Sequence, residues 1–220
     1  MDDLVFLFDV DNTLLDNDRI QHDLDTHLIQ RYGERVRERY WAIFDEQWKK
    51  VDYADYLGAV ERCRLEALHD PRLLGLAGFL IDYPFADRLY PGALEAIAAA
   101  SRLGRVVALS DGDAVYQPRK VERSGIGRAV GGAVLIFVHK ERELETVAAL
   151  YPARRYVLID DKLRILSAVK AEWGSRVVTV FPRQGRYAHD EKALAGYPPA
   201  DIAIAGVRDI VALDRTAFAA

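Results

Sequence analysis

Residues 4–8 of this chain, Leu-Val-Phe-Leu-Phe, form an unbroken apolar run that ends abruptly in Asp9-Val10-Asp11-Asn12-Thr13. A run without polar alternation reads as a strand buried on both faces, the signature of a parallel sheet covered by helices. Two carboxylates at i and i+2 then stand at the carboxyl end of that strand, where open α/β sheets place their ligands. The spacing has a chemical use. The first carboxylate attacks as a nucleophile or holds a metal, and the second serves the leaving group as acid or base. An ordinary strand followed by an Asx turn uses the same residue types, so the rest of the chain must decide.

The segment resembles the first motif of the haloacid dehalogenase-like hydrolases, Asp-x-Asp-x-Thr after an apolar strand, with Asp9, Asp11 and Thr13 at the motif positions. The resemblance implies Asp9 as nucleophile, Asp11 as general acid/base and Mg2+ as cofactor. Three later stretches continue it. The apolar run 105–109 ends in Ser110-Asp111-Gly112, which resembles the second motif. There the Ser110 hydroxyl and the amides of the Asp111-Gly112 turn would bind phosphate. A serine-hydrolase elbow is missed at Ala108, where its first Gly would stand.

The run 133–138 is followed by His139-Lys140, and Lys140 fits the third motif. Its task would be to neutralise neighbouring carboxylates and the incoming phosphate. Glu141 stands where the family often has Pro. Lys120 is a rival, in a helical setting that suggests a solvated or salt-bridged role. Lys140 is preferred, because strand ends converge on such a site and helix surfaces usually do not. The run 155–159 closes in Asp160-Asp161, resembling the fourth motif in its Asp-Asp form. Mg2+ takes hard oxygen ligands, and one or two carboxylates suffice with waters and substrate oxygens. Asp161 aligns with the usual metal-binding acid and Asp160 lies beside it, while one of the two also suits the cap of a helix over 163–173. The metal set implied is Asp9, the Asp11 carbonyl, Asp161 and Asp160. Arg164 and Ile165 stand where a further acid often appears.

Between the first motif and residue 88 the texture changes. Leu24, Leu28 and Tyr32 recur at helical spacing before Gly33. Val36, Tyr40, Ile43, Phe44 and Trp48 mark a second helix. Tyr53, Leu57, Val60, Leu65 and Leu68 mark a third, and Pro71 after His69-Asp70 starts a fourth. The aromatic stripe of the second helix reads as helix–helix core, with Trp41, off the stripe, the better pocket candidate. Lys49 and Lys50 suit a solvated helix end. His22, His27 and His69 have no ligand-like spacing. Beyond the fifth apolar run, 177–181, the loop 182–199 brings Arg183, Arg186, Tyr187 and His189 near the strand ends, with solvent exposure as the default.

The 220 residues, 50% of them hydrophobic, allow a core domain with a smaller insert. A net charge of −4 lacks the electrostatic footprint of a nucleic-acid binder. The single cysteine, Cys63, leaves no intrachain disulfide and no multi-Cys zinc site, and suits a reducing cytosol. No stretch reaches the length of a membrane span, and the Met-Asp-Asp start has no basic leader.

The expected fold is α/β, a Rossmann-like, mostly parallel sheet with helices on both faces and an α-helical cap inserted after the first strand. Residues 1–16 and 89–220 would form the catalytic core and 17–88 the cap. The implied function is a cytoplasmic, Mg2+-dependent phosphatase acting on a small phosphorylated metabolite through an aspartyl-phosphate, with no nucleic-acid or membrane partner. Alternatives are a 2-haloacid dehalogenase, a phosphomutase and an inactive binding protein on the same fold. The dehalogenases of the family normally lack an acid at the position of Asp11.

Overall fold

Along β1 (Asp2–Phe8) the side chains of Leu4, Phe6 and Phe8 enter one apolar cluster, and those of Val5 and Leu7 enter another. All five are buried. A strand with both faces covered must be interior to its sheet, and β1 is. The computed structural model describes residues 2–51, 53–66 and 70–218. β2 (Arg105–Asp111), β3 (Val134–Phe137), β4 (Ala153–Ile159), β5 (Val177–Pro182) and β6 (Ile202–Ile204) complete one sheet in the order 3-2-1-4-5-6. Every pairing is parallel. Phe8 pairs with Ala108 on one side and with Ile159 on the other, so the residues that follow these three strands emerge together. β1 is the strand at which the order reverses, which opens a crevice at its carboxyl end.

Ten α-helices are described. Four of them, α1 (Asn17–Tyr32), α2 (Glu34–Val51), α3 (Tyr56–Glu66) and α4 (Leu74–Asp82), lie between β1 and β2 as an inserted helical unit. The Asp16 carboxylate accepts from the Arg19 amide (2.9 Å) to start α1, and Gly33, with φ +86°, stops it. Tyr53, expected in the third helix, precedes it, and Leu68 and His69 lie outside the described residues. The chain enters and leaves this unit along one paired crossing. Leu15 forms an antiparallel bridge with Leu89, flanked by bonds from the Asp16 amide to Arg88 O (2.7 Å) and from the Tyr90 amide to Leu14 O (2.9 Å).

Of the remaining helices, α5 (Ala93–Ser101), α6 (Tyr116–Arg123) and the short α7 (Ile126–Ala129) cover the Phe6/Phe8 face, together with the insertion. α8 (Leu144–Leu150) and α9 (Leu163–Trp173) cover the Val5/Leu7 face, and α10 (Glu191–Ala195) packs beside α9. After β6 the chain closes in a 3-10 segment, Val207–Ala212. Its start is held by the Asp209 carboxylate, which accepts from the Ala205 and Gly206 amides.

Candidate active site

Asp9 is the first residue beyond β1, and its amide donates to Ile159 O (2.9 Å), which ties it to the neighbouring strand. The chain then turns so tightly that Val10 O accepts from the amides of Thr13, Leu14 and Leu15 (3.3, 2.9 and 2.9 Å). Asn12 takes a left-handed φ of +61°, a conformation that Asn tolerates better than most residues. Gln184, from the loop after β5, fastens the turn by donating to Asn12 O (3.1 Å) and Thr13 O (2.6 Å). The next residue, Gly185, approaches so closely that a Cβ there would lie 2.7 Å from Asn12 Cβ.

Asp9, Asp160 and Asp161 each offer an oxygen within 4.8 Å of the others, and all three are buried. Lys140 reaches them from the turn after β3. Its ammonium donates to Asp9 Oδ1 and to Leu109 O (3.3 Å) and pairs with Asp160 Oδ2 (2.7 Å). The other Asp160 oxygen accepts from the Lys162 amide (2.8 Å). Thr13 Oγ1 accepts from the Asp161 amide (3.1 Å), joining the first and fourth motif segments. Asp9 Oδ2 and both oxygens of Asp161 are buried with no hydrogen-bond partner among the described residues. Buried carboxylate oxygens are rarely left so, and a close cluster of three carboxylates is the kind of donor set a hard divalent cation takes. The residues present therefore fit Mg2+.

The electrostatics follow from this crowding. Burial pushes the Asp9 carboxyl up from an ordinary 3.8 to about 6; the Lys140 ammonium pulls against that rise, and Asp160 adds to it. Burial likewise drives Asp161 well above the carboxylate range. Lys140 shows the opposite balance. Burial opposes its charge, but Asp160, Asp9 and Asp111 overcome that and hold the ammonium well above the usual lysine range. Lys162 is raised in the same way, against burial, by Asp161, Asp9 and Asp160.

Ser110 sits at the end of β2, buried, and its hydroxyl accepts from Gln117 Nε2 (2.8 Å) and donates weakly to Asp111 O (3.3 Å). The approach of Gln117 explains Gly112, where a Cβ would lie 2.6 Å from Gln117 Cβ. One of the expected phosphate donors is otherwise engaged, and the acid beside it is held as well. The Gly112 amide donates to Phe137 O (2.8 Å), because β2 and β3 run on past the expected turn, and the Asp111 carboxylate accepts from the Lys140 amide (2.8 Å).

Lys120 takes the salt-bridged of its two expected settings and not the solvated one. It is fully buried, and its ammonium donates to both oxygens of Asp11 (2.9 and 2.8 Å) and to Asn17 Oδ1 (2.8 Å). The site thus carries two carboxylate–lysine pairs, Asp9 with Lys140 and Asp11 with Lys120. A cavity of about 370 Å³ opens in front of Asp11, with Asp11, Gln117 and Lys162 on the core side and Gln21, Trp48 and Tyr56 on the insertion side. The aromatic stripe of α2 is core at Tyr40, Ile43 and Phe44 and ends there. Trp48, one turn on, is 40% exposed and stands between this cavity and a wider hollow of about 830 Å³. Trp41 faces only the outer hollow, with its Nε1 donating to Asp25 (2.7 Å). Arg186 and Tyr187 reach the cavity rim, and Arg186 donates to Gln21 Oε1 (3.1 Å) on α1. Gln117, Asn17 and Gln184 carry no motif signal, and Lys162 carries only its place next to the acid pair.

A doubly wound parallel sheet with an acid cluster at its reversal point defines the broad class. Similarity to a solved protein narrows it. The chain is 54% identical to a protein from Burkholderia xenovorans LB400, provisionally assigned as a haloacid dehalogenase-like hydrolase, over 96% of this chain and 99% of that one, with a TM-score of 0.91. The chain belongs to the haloacid dehalogenase-like hydrolases. An L-2-haloacid dehalogenase shares the fold at 15% identity (96% and 98% of the two chains, TM-score 0.63). So does YfnB of Bacillus subtilis, provisionally assigned as a HAD-hydrolase and bound to magnesium, at 13% identity (97% and 100%, TM-score 0.61). No family model matches the chain, and no curated protein matches it. Among the described residues no helix is long and apolar enough to cross a membrane.

Proposed function

We propose that the protein is a Mg2+-dependent phosphatase that acts on a small phosphorylated metabolite through an aspartyl-phosphate on Asp9. The observation that carries this reading is the buried trio Asp9, Asp160 and Asp161, with Asp9 Oδ2 and both Asp161 oxygens lacking a hydrogen-bond partner among the described residues. Asp9, Asp161, Asp160 and the Asp11 carbonyl would hold Mg2+, which when bound offsets the repulsion between carboxylate and phosphate. Asp9 attacks phosphorus through Oδ2, the oxygen that Lys140 leaves free. Lys140 and the Ser110 hydroxyl donate to the phosphoryl oxygens, Lys162 adds positive charge, and Gln117 orients Ser110. As the P–O bond to the leaving group breaks, Asp11 gives that oxygen its proton. Asp11 then takes a proton from the water that attacks the acyl-phosphate, and Asp9 and inorganic phosphate are released. Residues 17–88 act as a cap that closes over the cavity and limits water. Asp11 at the cavity is what separates this reading from a dehalogenase, which displaces halide without a proton donor.

The test is a phosphate-release screen over sugar phosphates, nucleotides and phospho-acids, run with Mg2+ and with EDTA. Release that requires Mg2+ supports the proposal. Undiminished turnover in chelator, or halide release from a 2-haloacid with no phosphate release, would overturn it.

A further inference from the structure

We propose that Lys120 is a positioning residue that holds the Asp11 carboxylate in its working orientation, and that its grip is complete only while α3 of the insertion is seated on the core. The proposal rests on the phosphatase reading, in which Asp11 moves the protons.

An ammonium has three N–H donors, and all three of Lys120 are used, on Asp11 Oδ1, Asp11 Oδ2 and Asn17 Oδ1. Its remaining flanks lie over the rings of Tyr56 (5.6 Å) and Tyr116 (5.1 Å). With every direction filled by protein, Lys120 has no donor left for a phosphate. Contact with both oxygens of one carboxylate fixes the rotation of the Asp11 side chain. The opposite side of Asp11, which is 24% exposed, faces the cavity. The lysine therefore stands behind the acid and the substrate space in front of it. A bidentate contact of this kind holds Asp11 as the carboxylate and supplies the orientation it needs to take a proton from the attacking water.

The surroundings of Lys120 come from two bodies of the chain. Lys120 and Tyr116 belong to α6 of the core. Asn17 and Tyr56 are the first residues of α1 and α3 of the insertion. Tyr56 is itself held by the insertion, accepting at its hydroxyl from Gln21 (2.6 Å) and at its carbonyl from Tyr40 (3.0 Å). Lifting α3 would remove one ring and admit water to the ammonium, where it would compete with Asp11. Seating of the insertion and alignment of the acid/base are thereby one event.

A buried ion pair that is merely structural would affect every step alike, so the test separates the steps. Full-length wild type, Lys120→Met, Tyr56→Leu, Asp11→Asn and the Asp11→Asn/Lys120→Met double variant are mixed with p-nitrophenyl phosphate and Mg2+ in rapid quench. The burst amplitude counts folded, competent sites. Lys120→Met should phosphorylate Asp9 at close to the wild-type rate, since this leaving group needs little protonation, and lose the phosphate about 10–100-fold more slowly. Tyr56→Leu keeps Lys120 and should slow the same step by about threefold or more, which preserves the test if Lys120→Met does not fold. Adding Lys120→Met to Asp11→Asn should change dephosphorylation by less than about twofold, because the two act through one group. Equal slowing of both steps, or a full multiplicative effect in the double variant, would overturn the assignment of Lys120. Failure of Asp11→Asn itself to accumulate phospho-Asp9 would instead overturn the phosphatase reading on which it rests.

Discussion

Removing divalent metal should make this protein lose stability as pH rises across the mildly acidic range. Asp9 is 3% exposed, and burial raises its carboxyl from 3.8 to about 6 in the folded protein. The folded state thus holds a proton that the unfolded state has already given up. Its contribution is fully present below the unfolded value and is lost as pH climbs through about 6. The rise corresponds to on the order of 3 kcal/mol, and for a domain of this size that is roughly 6–12 °C in Tm. Asp161, also raised by burial, acts in the same direction. Asp23, held low by Tyr83 and Arg88 despite partial burial, loses its contribution only in more acidic solution, outside the window. The assay is thermal unfolding at pH 4.5 to 7.5, in EDTA and in millimolar Mg2+. Tm in EDTA should fall with pH, the Mg2+-induced rise in Tm should grow with pH, and Asp9→Asn should flatten both trends. A metal-free Tm that climbs between pH 5 and 7, or a Mg2+ effect independent of pH, would refute the reasoning.

Lys140→Met should destabilise the metal-free protein by about 3–5 kcal/mol, because it strands Asp9 and Asp160 as buried charges; denaturant titration showing a loss below about 1 kcal/mol would contradict this. Trp48→Ala should raise KM by roughly 2–10-fold with little change in kcat, since the ring borders the cavity mouth and touches none of the acids. A steady-state comparison that finds kcat lowered and KM unchanged would place Trp48 in the chemistry instead.

The parts of the site legible in the sequence are those that local structure creates. An apolar run followed by an acid needs only a strand and its turn, so Asp9, Asp11, Asp160 and Asp161 could be placed before any tertiary contact was known. Lys140 was legible for the same reason. Lys120 was not, because its burial comes from Asn17 and Tyr56, 103 and 64 positions away, and no helical pattern shows which neighbour will cover a given face. The Gly112 amide was misjudged because the pairing of β2 with β3 extends further than the apolar run. Trp48 shares the periodicity of Tyr40 and Phe44, but periodicity gives a direction and not the point at which the neighbouring helix ends. Gln117 and Gln184 are polar residues on a helix and in a loop, and nothing local marks them as supports of Ser110 and of the Asn12 turn.

The central claim is that Asp9 becomes phosphorylated and that Asp11 moves the protons. It is tested most directly by mass spectrometry of the Asp11→Asn variant, quenched in acid moments after mixing with an aryl phosphate and Mg2+. The mechanism predicts a phosphoryl group on the peptide containing Asp9, with turnover slowed by about 10²–10⁴-fold, and no such adduct in Asp9→Asn. A phosphoryl group on Ser110, or an Asp9→Asn variant that turns over as fast as the wild type, would contradict it.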